Sequence, residues 1–248
     1  MAVIWERRSG DTCYQVRTAG RSVRLYTNGV FHSQYNPQRP VTGNVWDLLF
    51  IPAFFRPPGT IRRVLVLGVG GGAVIRQLQQ FIQPEMIVGV ERSAIHLGIA
   101  RRFFGVCGSS VELVEADAVQ WVQGWRGQPF DMIIDDLFGD ADGEPSRAVQ
   151  ATGNWVGALV KCLASDGMIV SNFATRGELT GSSYQQLSRY RRLFRSRFRL
   201  TTPQNHNAVG VFLRSDATHA GLKNRLRQVP GLNPDLKSTG LRYLLHVL

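Results

Sequence analysis

Apolar and polar positions give the chain two textures. From residue 60 onward, short continuous apolar runs alternate with segments of helical period. Residues 64–67, 86–90, 111–115, 131–135 and 168–173 read as strands. Short runs rich in Val, Ile and Leu suit strands buried on both faces. Between them, 73–81, 93–104, 118–124 and 154–163 repeat apolar residues at helical spacing. Such alternation predicts parallel strands, right-handed crossovers and helices on both faces. Residues 182–195 predict a further helix, 198–202 and 208–214 an antiparallel strand pair, and 219–228 a helix. The tail to residue 248 predicts a last short helix.

The first part of the chain has a different pattern. Residues 3–6, 13–18 and 22–26 lean to strand. Ser9-Gly10-Asp11, Ala19-Gly20 and Asn28-Gly29 are turn signals between them. A small antiparallel sheet of about three or four strands is expected. A helix over 45–55 follows and stops at Arg56-Pro57-Pro58-Gly59. The expected fold class is α/β. It has a Rossmann-like, seven-stranded, mostly parallel doubly wound sheet and a small N-terminal antiparallel β domain. The expected division is 1–56 and 57–248.

Composition narrows the picture. A chain of 248 residues that is 44% hydrophobic can bury a sizeable core. It contains no apolar run long enough for a membrane span. Its start lacks the basic-then-apolar pattern of a secretory signal, so a cytoplasmic protein is expected. Cys13, Cys107 and Cys162 are scattered and odd in number, and neither they nor the five histidines have metal spacing. No metal is expected. The net charge of +11 permits a nucleic-acid partner. Nucleic acid is not the favoured reading, because the run from Arg189 to Arg199 suits the solvated face of a helix and an edge strand. Trp46, Trp121, Trp125 and Trp155 lie on helical segments and are read as core.

Candidate chemistry sits just after the strands, where α/β sheets bind ligands. The first strand runs into Gly68-Val69-Gly70-Gly71-Gly72 and then a helix. Such a turn lets backbone approach a ligand, and the helix start favours negative groups. After the second strand come Glu91 and Arg92. A carboxylate about 20 positions past a glycine turn is placed for ribose hydroxyls. After the third come Asp117, suited to an adenine amine, and Ala118, whose N–H can meet a ring nitrogen. Asp117 is equally suited to capping a helix. After the fourth come Asp135 and Asp136. Successive strand side chains point opposite ways, so one of the two faces the cleft.

In this order, the glycine turn, Glu91, Asp117 and Asp136 resemble class I S-adenosylmethionine-dependent transferases. More closely, residues 3–215 resemble the spermidine synthase-like (polyamine aminopropyltransferase) superfamily. That resemblance implies S-adenosylmethionine or its decarboxylated form as donor and a small-molecule acceptor. It implies Asp136 as proton acceptor, Asp140 as a second catalytic candidate, His32 and Gln34 as substrate candidates, and a homodimer. The family's turn is Gly-Gly-Gly-Asp-Gly, and its aspartate, which holds the donor amine, is Gly71 here. A second family aspartate is Gly139, and a Tyr-Gln/His-Glu triplet is Val45-Trp46-Asp47. The family tyrosine before the late strand pair corresponds to Asn205 or His206. Nucleoside-binding carboxylates are kept while much of the amine-binding set is replaced. The reading is therefore a methyltransferase-like enzyme with an unknown acceptor. The alternatives are a true polyamine aminopropyltransferase and a catalytically inactive nucleoside- or nucleic-acid-binding protein.

Overall fold

The computed structural model describes residues 1–141 and 144–248, with side chains outside 140–145. Strands β1 (Ala2–Ser9), β2 (Thr12–Ala19), β3 (Ser22–Thr27) and β4 (Val30–Tyr35) form an antiparallel sheet in that order. Asn28 and Gly29, both at positive φ, close the third hairpin, as its turn type requires. Leu25 of β3 pairs with Ser33 of β4, but the next residue, Tyr26, pairs with Phe31. His32 is thus the extra residue of a β-bulge, a device that re-aims a side chain.

Helix α1 (Val45–Phe50) is buried along its whole length and tightens into a 3₁₀ turn, Ile51–Phe55, where Pro52 enters. A helix that is apolar nearly all round must be buried. This one packs on α2 (Ala73–Phe81) and on the large sheet.

The rest alternates as the pattern predicts. Strand β5 (Arg63–Leu67) precedes α2. Then come β6 (Met86–Glu91), α3 (Ala94–Phe103), β7 (Val111–Glu115), α4 (Ala118–Gly124) and β8 (Phe130–Asp135). A two-stranded hairpin, β9 (Phe138–Ala141) and β10 (Glu144–Arg147), leads to α5 (Gly153–Lys161) and β11 (Leu163–Phe173). Three short helices follow: α6 (Arg176–Gly181), α7 (Ser183–Gln186) and α8 (Ser188–Leu193). The chain ends with β12 (Ser196–Thr201), β13 (Ala208–Leu213), α9 (His219–Gln228) and β14 (Leu244–Val247). The sheet order is β14-β12-β13-β11-β8-β5-β6-β7. Strands β11, β8, β5, β6 and β7 are parallel, and β13 runs against both β11 and β12.

Alternate residues of the central strands feed two cores. Val64, Val66 and Ile134 pack toward α1, α2 and the N-terminal sheet. Leu65, Leu67 and Ile133 pack toward α4 and α5. Full burial of each such side chain contributes about 1.5–3 kcal/mol.

Three expectations need correction. The large sheet has eight strands among the described residues, not seven. The eighth is the tail: 244–247 pairs antiparallel with β12 instead of forming a helix. The open edge of β12 offers backbone partners that a short terminal segment can pair with. The helix expected over 182–195 is broken, because Ser182 and Leu187 take extended backbone. The Gly181-Ser182-Ser183 run favours caps over helix interior.

Candidate active site at the carboxyl edge of the sheet

Strands β6 and β7 lie on one side of β5, and β8 and β11 on the other. The order reverses between β5 and β8, which opens a crevice at their carboxyl ends. The glycine turn and Asp136 meet there.

The four glycines have different causes. Gly68 has φ of 86°, and a Cβ on it would stand 2.2 Å from the Asp136 carbonyl oxygen. Two adjacent strand ends converge at that point, so only glycine is possible. Gly72, at φ 82°, is the N-cap of α2 and would meet Val106 at 2.5 Å. Gly71 would meet the Phe104 ring at 2.6 Å, and that ring is itself buried. The space that an aspartate would need at position 71 is filled by Phe104. Gly70 differs, because its Cβ position has ordinary contact distance, 3.6 Å, to the His32 carbonyl. The bulge of β4 therefore lies beside the turn.

Glu91 is buried, and its carboxylate ties the turn down. Oε2 accepts from the N–H groups of Val69 (3.2 Å) and Gly70 (3.1 Å), and Oε1 from that of Ser93 (3.0 Å). His96 Nδ1 stands 3.7 Å from Oε2. Burial pushes this carboxyl up, but His96 and the amide donors outweigh it and hold it below the usual range. A carboxylate has about four acceptor sites, so capacity remains for a ligand hydroxyl. His96 Nε2 also lies 2.9 Å from Thr27 Oγ1, and its ring sits among Tyr14 and His32. One imidazole thus joins the N-terminal sheet to the end of β6.

Asp117 is exposed, and its Oδ1 caps α4 by accepting from the Gln120 N–H at 2.9 Å. Ala118, the first residue of that helix, is buried, and Arg92 is exposed. Glu91 and Glu115 are register partners, so the ends of β6 and β7 lie side by side. Gln34, partly buried in β4, accepts from Arg24 Nε of β3 at 2.7 Å. The side chain of Asp140 lies outside the described residues.

The adjacent carboxylates after β8 separate completely. Asp135 is fully buried and paired with Arg147. It also accepts from Trp155 Nε1 (3.1 Å) and Ser171 Oγ (3.3 Å). Asp136 is half-buried, and its Oδ1 accepts from Asn172 Nδ2 at 2.8 Å. Asn172 Oδ1 in turn accepts from Asn207 Nδ2 at 3.0 Å. Burial pushes the Asp136 carboxyl up to about 7; the Asn172 bond opposes this and the Asp135 charge adds to it.

Asp47 stands apart from this edge. Buried in α1, it gathers the N–H groups of Thr42 and Gly43, the Thr42 hydroxyl and the Gln77 amide. Burial raises its carboxyl to about 6, and its role is to fix the 42–43 loop.

Arg147, Asn172, Asn207, His96 and Phe104 were not singled out in the sequence. Asn172 had a signal: it is a polar residue near the carboxyl end of an apolar strand, where ligand contacts concentrate. The others are placed by long-range packing. Of the tryptophans, Trp46 and Trp155 are in the core, while Trp121 and Trp125 stack on each other at 4.7 Å and are partly buried. Arg189, Arg191, Arg192 and Arg195 are exposed, whereas Arg199 is buried within β12. Among the described residues no group of His, Cys, Asp and Glu side chains could hold a metal ion, and no helix is long and apolar enough to cross a membrane.

No protein-family model matches the chain. Over 106 residues it is 31% identical to polyamine aminopropyltransferase 2 of Caldanaerobacter subterraneus, a stretch covering 42% of this chain and 35% of the relative. Over 114 residues it is 25% identical to the polyamine aminopropyltransferase of Chromobacterium violaceum, covering 45% and 42%. The similarity thus spans less than half of either relative. Among solved structures, a probable spermidine synthase from Corynebacterium glutamicum superposes with a TM-score of 0.74 at 15% identity. That match covers 100% of this chain and 91% of the other. Human methyltransferase-like protein 13 in complex with SAH gives 0.56 at 16% identity, covering 80% and 89%. The fold is that of the spermidine synthase-like superfamily, built on the class I methyltransferase architecture, and the chain's curated relatives are polyamine aminopropyltransferases.

Proposed function

We propose that the chain is a transferase that moves an alkyl group from a sulfonium nucleoside to a small acceptor. The observation that carries this is the pairing of two carboxylates at one switch point. Glu91 is fixed against the glycine turn, and Asp136 stands across the crevice with a carboxyl that titrates near 7. Glu91 is positioned for ribose hydroxyls and Asp117 for an adenine edge. When bound, such a donor supplies a carbon whose bond to positively charged sulfur carries away the leaving electron pair. Asp136 takes the proton that the acceptor releases as its lone pair forms the new bond. A carboxyl poised near the working pH suits that exchange. Asn172 fixes the orientation of the base, and the bulged strand β4 lies beside the turn.

The names of the relatives reverse the order of the two transfer readings. Both aminopropyltransferase relatives and the spermidine synthase neighbour favour aminopropyl transfer over methyl transfer. Methyl transfer keeps one observation in its favour, the Phe104 ring that occupies the place of a carboxylate beside Gly71.

Product analysis separates the readings. The protein is incubated with S-adenosylmethionine or its decarboxylated form and a pool of amines, and nucleoside products are followed by mass spectrometry. Methylthioadenosine from the decarboxylated donor is the expected product. S-adenosylhomocysteine alone would establish methyl transfer, and neither product with any acceptor would reject the transferase reading.

A further inference from the structure

A second cleft lies farther along the same edge of the sheet. It encloses about 190 Å³ between the loop before α1, the β12–β13 loop and the C-terminal segment. Arg39 and Arg242 line it together with Gly43 and Gln204. Both guanidinium groups are exposed, and neither is in an ion pair or side-chain hydrogen bond among the described residues. Arg39 Nη2 lies 3.7 Å from the Cβ position of Gly240, two residues before Arg242, which draws the two arginines to one mouth. Asp47, just behind Thr42 and Gly43, makes no ion pair with either arginine; its oxygens bond to those two residues and Gln77.

This cleft is tied to the candidate base. The loop that supplies Gln204 also supplies Asn207, whose amide holds Asn172, which holds Asp136. The same loop is clamped to the cleft's other wall by Asn205 on Asn44 (2.6 Å) and Thr202 on Gly43 (3.3 Å). From β12 to β8 is three strand spacings, roughly 14 Å. We propose that Arg39 and Arg242 hold an anionic group, carboxylate or phosphate, at the far end of an extended acceptor whose nucleophile lies at Asp136. The proposal deepens the transferase reading and rests on it. Two arginines recognise such groups through charge-assisted hydrogen bonds, and they repel the distal ammonium of a diamine. The volume suits one end group rather than a whole ligand.

Calorimetry with the full chain tests this, using inorganic phosphate and a pair of equal-length probes, 8-aminooctanoate and 1,8-diaminooctane. Phosphate binding and a preference for the amino acid over the diamine are expected. Arg39→Gln and Arg242→Gln should each weaken both by about tenfold, with S-adenosylmethionine binding unchanged. Preference for the diamine, or anion binding unaffected in the double variant, would overturn the proposal. So would single-stranded RNA binding that the double variant loses while phosphate never binds. Anion binding intact in a chain that binds no sulfonium nucleoside would overturn the acceptor assignment, through failure of the transferase reading rather than of the cleft.

Discussion

Along the carboxyl edge of the sheet, the β5–β7 half is closed by carboxylates that bind backbone amides. The β8–β13 half is closed by side chains that bind one another. In the first half, Glu91 anchors Val69, Gly70 and Ser93, and Asp117 anchors Gln120. In the second, Asp136, Asn172 and Asn207 form a chain of side-chain bonds, with the Asp135–Arg147 pair buried beneath. A carboxylate bonded to backbone fixes a turn whatever the neighbouring side chains are. A side-chain network can be rewritten residue by residue. Under the proposed function, the backbone-anchored half would hold the donor and the half built from side-chain amides would face the acceptor.

The largest effect is expected where the two halves meet. Asp136→Asn should lower turnover by about 10²–10⁴-fold without unfolding the chain, as judged by circular dichroism. In the native protein the rate should rise as pH passes about 7, because the base must be ionised. Stability should move the other way. A carboxyl raised from 3.8 to about 7 keeps its proton in the folded state while the unfolded chain has lost it, so stability falls as pH rises across that window. Asp47, raised to about 6, adds to the same fall. Denaturation across pH should show Asp136→Asn removing the upper part of it. A turnover unchanged in that variant would break the comparison at its centre.

Next is the buried pair under the acceptor half. Asp135→Ala leaves the Arg147 guanidinium uncompensated and should cost about 3–5 kcal/mol in urea unfolding. Arg147→Met should cost a similar amount, and the double variant less than the sum. Additive costs would show that the two residues do not act as a unit.

A smaller effect is expected in the donor half. Gly71→Ala drives a methyl group into the Phe104 ring and should cost about 1–3 kcal/mol. Adding Phe104→Leu should recover part of that loss, whereas no recovery would mean that Phe104 is not the obstacle.

The legibility of the chain follows the same division. Buried strands are legible as apolar runs, and Glu91 and Asp117 stand out as candidates because they follow strands at fixed spacing. Asp135 and Asp136 could be assigned opposite faces from strand alternation alone. Arg147 could not be found, because its place under Asp135 depends on the β9–β10 hairpin, which the sequence reads only as a loop. The bulge at His32 escaped because a register shift has no signature in one strand. Phe104 escaped because it meets Gly71 from 33 positions away. The terminal strand exists only because β12 leaves an open edge.

Glu91 over the glycine turn forms the proposed nucleoside site. Titration calorimetry of 5′-methylthioadenosine into the native chain and into a folded Glu91→Ala variant tests it. One-site binding is expected in the native chain, weakened about ten- to a hundredfold by the substitution. No binding to the native chain, or equal affinity in both proteins, would contradict it.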